Sequence, residues 1–406
     1  MTDTAAAAIK PDLMRFIKAN IRDYALLLSL VAIMVFFQIA TDGILFTPLN
    51  MTNIILQNSY IVIMALGMLL IIVAGHIDLS VGFLSGFIGA IAGVVMVSNP
   101  LWPAALKLGT LPAIMVCLAA GTAIGALQGW FVARFRIPAF IVTLAGMLVL
   151  RGLMIAMLSG RNLGPFPESF QALSNGYVPD LLAFTALPGI KNMFALVAGI
   201  VVTGLILWSN WRGRRLEELH GMAEEPIELF YGRNALIAAA IIGFSWIMAS
   251  HRGLPNVLVT MFALVALFMF ITTRMTFGRR VYALGGNEKA TRMSGINTER
   301  ITVQIFAIMG GLAALAGLVY AARLNSAQPK AGQGLELDVI AACFIGGAAV
   351  TGGVGKITGV VIGAFIMGVM NNGMGIMGVG IDWQQVIKGA VLLLAVFLDV
   401  YYKNKG

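Results

Sequence analysis

Arg151 stands in the middle of LAGMLVLRGLMIAML, a stretch in which no other side chain can ionise. A charge in such a setting is costly, so it must snorkel, pair with an acid such as Asp78, or line a path for solute. Asp78, in AGHIDLSVG, and Asp338, in LELDVIAA, each open an apolar run. A carboxylate there can cap the first turn of a helix and favour its dipole, or it can face a transported solute. Asn371 and Asn372, polar neighbours within an apolar run, join Asp78, Arg151 and Asp338 as candidates for a translocation path or an interface between repeats. Lys388 and Asp399 stand nearer the ends of their run and read as anchors.

Other chemistries find little support. His76, His220 and His251 lack the paired spacing of a helix-borne zinc site, and no metal site is expected. Cys117 and Cys343 both sit in apolar runs and read as packing residues. GGVGKITG at 352–359 has Ile357 where a phosphate-binding loop needs Ser or Thr after its lysine, so no nucleotide site is expected in this chain. Its glycines read as a tight turn. No catalytic group is expected either, since no paired acids and bases face each other at useful spacing.

The elements that must carry these residues follow from composition. The chain has 406 residues, 59% of them hydrophobic and only 11% charged, with a mean hydropathy of +0.90. One soluble core cannot absorb that much apolar surface, whereas membrane spans of about 20 residues each can. Apolar runs fall near 24–41, 54–74, 80–98, 111–133, 138–158, 193–209, 235–250, 255–273, 301–321, 337–351, 357–376 and 384–401. The expected fold is an all-α polytopic membrane protein of about 10–12 transmembrane helices. A polar head at 1–23 precedes a transmembrane domain at 24–406. The net charge of +9 reads as the lysine and arginine excess of cytoplasmic loops, not as a nucleic-acid surface. Alternating sides from a cytoplasmic head collects most basic residues inside and puts both termini in the cytoplasm.

Two parts of the chain are alike. HIDLSVG, then IGA at 124–126, then VLRGL around Arg151 is echoed by LELDVIAA, then IGA at 362–364, then VIKGA around Lys388. The four-helix units 54–158 and 301–401 begin on opposite sides by the charge pattern, so they read as inverted repeats, a construction of transporters. Between them lies a charged stretch, 211–233, read as a solvated cytoplasmic loop with a short helix.

The segment 274–300 holds the longest polar island, with GRRVYALGGNEKATRMSGI at 278–296. Asn287 suits an N-cap, Glu288 to Ser294 two helical turns, and Gly295 a left-handed C-cap. Gly285 and Gly286 are expected to turn the chain into this helix, and Ala290 and Met293 to offer an apolar contact. On physics alone, a merely solvated loop remains an equal reading.

These blocks, with IPAFIVTLAGMLVLRGL and ELDVIAACFIGGAAVTGGVGKITGVVIGAFIMGVMNNGM, resemble the membrane permease subunits of bacterial ATP-binding-cassette importers for monosaccharides. The resemblance runs from about residue 24 to the end and is nearest the xylose and multiple-sugar subgroup; His76 departs from the usual pattern. It implies an inner-membrane homodimer that receives a sugar from a periplasmic binding protein. It also implies partner ATPase subunits that use ATP and magnesium and dock on the loop containing Gly278, Arg279, Gly285, Gly286, Asn287, Glu288, Ala290, Met293 and Gly295. Bulky replacements at Gly286 or Gly295 are then expected to uncouple transport. Two rival readings stay open from the residues: an ion-coupled secondary transporter using Asp78, Arg151 or Asp338, and a permease for branched-chain amino acids.

Overall fold

The structure is a computed structural model that describes residues 21–98, 102, 107–182, 189–220 and 225–403. The polar head at 1–23 lies outside the described residues up to residue 20, and the Asp399 side chain lies outside them too. Among the described residues the chain is all helix, with only isolated bridges between Leu163 and Ala327 and between Tyr177 and Pro255.

In chain order the helices are α1 (Ile21–Ala40), α2 (Pro48–Val73), α3 (Val81–Met96), α4 (Thr110–Phe135), α5 (Ala139–Leu158), α6 (Glu168–Asn175), α7 (Met193–Leu219) and α8 (Ile227–His251). There follow α9 (Asn256–Arg274), α10 (Thr276–Gly286), α11 (Glu288–Met293), α12 (Thr298–Leu324), α13 (Leu335–Ile345), α14 (Ile357–Ile376) and α15 (Ile381–Lys403). Each of the twelve apolar runs falls on a helix. Eight of these, α2, α4, α5, α7, α8, α9, α12 and α14, are long and apolar enough to cross a bilayer, while α3 and the segment Ala25–Ala40 are shorter apolar helices. The run 337–351 is a correction: α13 has 11 residues, about 16 Å of helix against a hydrocarbon layer of about 30 Å. It ends in a turn where Gly347, Gly352 and Gly353 have φ of 86°, 80° and 74°.

The chain divides into two compact units. The larger holds 29–46, 52–177 and 255–406, and its core is α2, α3, α12 and α14. From Ile61 to Val73, α2 is buried on every side, as its unbroken apolar sequence demands. The hydrophobic effect gives helices in lipid little reason to associate, so close backbone approach through small residues must do so. The packing of α4 on α12 shows this. A side chain on Gly125 would strike the Phe306 carbonyl and the Gly310 backbone, and one on Gly121 would strike Ala314 and the Gly310 carbonyl. The opposite face of α4 keeps Leu111, Met115, Leu127 and Trp130 exposed, as a lipid-facing surface should be.

The smaller unit contains 178–254 and is built on α7 and α8, which run antiparallel. Gly199 meets Ser245, and Asn210 donates to Asn234 at 2.8 Å. Asn192 caps α7 by accepting from the Ala195 N–H. Asp180 accepts from the N–H groups of Met193, Phe194 and Leu182. Desolvation would raise the Asp180 carboxyl, but these three donors outweigh it and hold it below the usual range. The charged stretch 211–233 is not a loop with its own short helix. Its first part is the end of α7 and its last part the start of α8. Arg214 and Arg233 close over Phe230 at 4.7 and 5.7 Å, and Glu225 forms an ion pair with Arg233 at 3.1 Å. Local aromatic and ionic pairing keeps both helices wound beyond their apolar portions.

Candidate functional site

Two places in the larger unit gather the residues singled out by sequence. The first is the pair α10 and α11. Buried positions Gly278, Val281 and Leu284 follow helical spacing and seat α10 on the core. Gly285 approaches so closely that a Cβ would collide with the Val73 carbonyl oxygen at the end of α2 and crowd the Gly353 N–H. Tyr282 donates its hydroxyl to the Gly355 carbonyl at 2.7 Å, and burial raises that phenol above its ordinary value. Thus α10 is fastened to the glycine turn between α13 and α14.

Neither Gly285 nor Gly286 makes the sharp turn expected of them; both are helical, and the turn falls at Asn287, with φ −160° and ψ 100°. A Cβ on Gly286 would meet nothing within 4 Å, so its expected intolerance of bulk is unsupported by packing. Asn287 caps α11, accepting from the Ala290 N–H at 3.0 Å. Glu288 bonds Arg292 at 2.8 Å one turn later. Gly295, at φ 78°, closes the helix while the Ile296 N–H returns to the Thr291 carbonyl. Thr291 also donates back to the Ala283 carbonyl on α10. Arg279 and Ala290 are exposed, and Met293 is 89% exposed. The result is a stapled six-residue helix that presents an apolar tip.

The second place is where the two similar motifs meet. A Cβ on Gly82, at the start of α3, would strike the Glu336 carboxylate and the Gly332 carbonyl just before α13. Asp78 is buried, but it is not the N-cap of α3: that residue is Ser80. The Asp78 carboxylate accepts from the Ser80 N–H at 2.8 Å and hydroxyl at 2.7 Å, and that hydroxyl also reaches the Gln128 side chain. Asp338 is likewise no cap, since it lies inside the first turn of α13. One oxygen accepts from Asn371 and from Lys388, both at 3.0 Å.

Lys388 is therefore an ion-pair partner of Asp338, not an end-of-span anchor. Arg151 does not pair with Asp78; its guanidinium lies 5.5 Å from the centre of the Phe83 ring and is exposed. Asn372 is buried beside Asn371 on α14. Three buried acceptors, Asp338 Oδ1, Asn371 Oδ1 and Glu336 Oε2, have no hydrogen-bond partner. Among the described residues no three His, Cys, Asp or Glu side chains group as metal ligands.

Sequence reasoning passed over Tyr282, Thr291, Gln128, Glu336 and the role of Lys388. For Tyr282 the helical spacing of Gly278, Val281 and Leu284 was an available signal. Lys388 carried one too, as a cation set in an apolar run that follows the one opened by Asp338. Gln128 gave none, because its partner Ser80 lies on another element, and Thr291 gave none for its bond to Ala283 on the preceding helix.

Residues 50–396 match the family described as branched-chain amino acid transport system / permease component. Among relatives, the chain is 38% identical over 387 residues to the xylose transport system permease protein XylH of Escherichia coli K12, covering 95% of this chain and 94% of the relative. It is 37% identical to the XylH protein of Haemophilus influenzae, covering 95% and 98%. It is 34% identical to the ribose import permease protein RbsC of Escherichia coli K12, covering 91% and 92%. No solved structure matches. With a family match over most of its length and relatives alike from end to end, the chain belongs to this family of transport-system permease components.

Proposed function

We propose that the chain is the membrane permease subunit of an ATP-driven importer that passes xylose or a related monosaccharide into the cell. The full-length likeness to the xylose permeases carries this reading. The relatives compared above are named for pentoses, which favours a sugar over a branched-chain amino acid. The broken-helix region supports it chemically. Unpaired oxygens on Asp338, Asn371 and Glu336 are complementary to the hydroxyl donors of a neutral polyol.

On this reading the chain pairs with a second copy, receives sugar from a periplasmic binding protein, and lies in the inner membrane with both termini cytoplasmic. The units 54–158 and 301–401 act as inverted repeats around the path. ATP and magnesium belong to separate ATPase subunits, which bear on α10 and α11. The capped helix, its exposed Met293 and the fastening of α10 to the glycine turn make a short mechanical route from that contact to α13 and α14.

Reconstituted with its ATPase and binding-protein partners, the chain should accumulate xylose in proteoliposomes only when ATP is present, without competition from leucine. Uptake driven by a sodium or proton gradient with no ATPase subunit would overturn the reading in favour of secondary transport.

A further inference from the structure

We propose that a crevice formed by the end of α9, the middle of α10 and the start of α14 seats the phosphate headgroup of an anionic phospholipid. The crevice holds about 570 Å³ and is lined by Met269, Thr273, Arg279, Tyr282, Lys356 and Thr358, among others. Arg279 and Lys356 line it together with the hydroxyls of Thr272, Thr273, Tyr282 and Thr358, and no carboxylate is among the described residues of its lining. Helices α10 and α14 both begin nearby, and neither has a side-chain cap at its N-terminus, where Met275 and Lys356 stand. Their first N–H groups and positive dipole ends add to the field.

A neutral sugar has no use for such a field. Basic pockets at the membrane surface between spans suit lipid phosphates. Met269 in its lining belongs to an apolar wall of α9 that also leaves Val259, Phe262 and Phe270 exposed. An acyl chain would cover that wall, whereas a water-borne anionic loop would gain nothing from it. A headgroup held here would touch the Gly355–Thr358 turn to which Tyr282 ties α10, so bound lipid would brace the joint between α10 and α14. The inference rests on α9 lying in a membrane and not on which solute the chain passes. Xylose uptake without lipid retention would sink this inference alone.

The test is native mass spectrometry of the purified full-length chain offered phosphatidylglycerol or phosphatidylcholine with the same acyl chains. Phosphatidylglycerol should be retained preferentially. The double change Arg279→Gln with Lys356→Gln should weaken that retention about thirtyfold, the loss of two interfacial cations. The charge-keeping pair Arg279→Lys with Lys356→Arg should retain it. Equal retention of the two lipids, or unchanged retention in the glutamine pair, overturns the proposal. So does displacement by inorganic phosphate, which would make this a free-anion site, or displacement by an added ATPase subunit, which would make it a protein-docking site. Should the glutamine pair misfold, the contrast between lipids in the unaltered chain and the charge-keeping pair decides.

Discussion

Lys388 and Asp338 are the most consequential side-chain pair, because both charges are held away from water, at 18% and 4% side-chain exposure with 3.0 Å between Nζ and Oδ2. Pairing two buried charges roughly balances their desolvation, but removing one leaves the other uncompensated at a cost of about 3–5 kcal/mol. Here the penalty is sharpened because Asp338 Oδ1 already lacks a partner. Lys388→Met should therefore lower the melting temperature of the purified chain substantially, and adding Asp338→Asn should recover most of the loss. Equal melting of the single and double variants would show that the pair is not a unit. Arg151 gives the contrast: exposed and only stacked on Phe83, its replacement by leucine should change stability by less than about 1 kcal/mol.

At the scale of elements, α10 is seated at both ends. Gly278 and Gly285 press on neighbouring backbone, Tyr282 bonds the glycine turn, and Asn287 ends one helix while starting the next. Gly285→Val should push α10 off the end of α2, since overfilling a packed contact with no room for a Cβ costs about 1–3 kcal/mol. Gly286→Ala should be accepted and even stiffen the helix, because alanine is the better helix former and space is open. ATP-driven sugar uptake and ATPase association, measured for both variants, should fall in the first and persist in the second. The reverse ranking would mean that the seating of α10 is not what carries force. Two adjacent glycines look identical in sequence; one meets the core and the other meets nothing.

For the whole molecule, the proposed orientation, drawn from the distribution of basic residues, puts Met293 in the cytoplasm and Lys107 in the periplasm. Met293→Cys should react with a membrane-impermeant thiol reagent only after the inner membrane is opened, and Lys107→Cys in intact spheroplasts. Both native cysteines are buried, so the background should be quiet. Labelling of both positions from one side would refute the orientation. By itself, the sequence settled what depends on local composition and on neighbours along the chain: the helical class, the twelve helix-bearing runs, and the cap, short helix and left-handed glycine of 287–295. Periodicity and capping act within a few residues, which is why they are readable there. Tertiary structure alone decided that 337–351 holds an 11-residue helix, that 211–233 extends two long helices, that Asp338 holds Lys388 while Asp78 turns to Ser80, and that Gly285 is the glycine without room. Lys388 and Gly285 depend on a charge or a backbone that arrives from a distant element, and that distance in sequence leaves no local trace. At Asp78 and along 211–233 the partners are near in sequence, but the local sequence allows several pairings and the fold selects one.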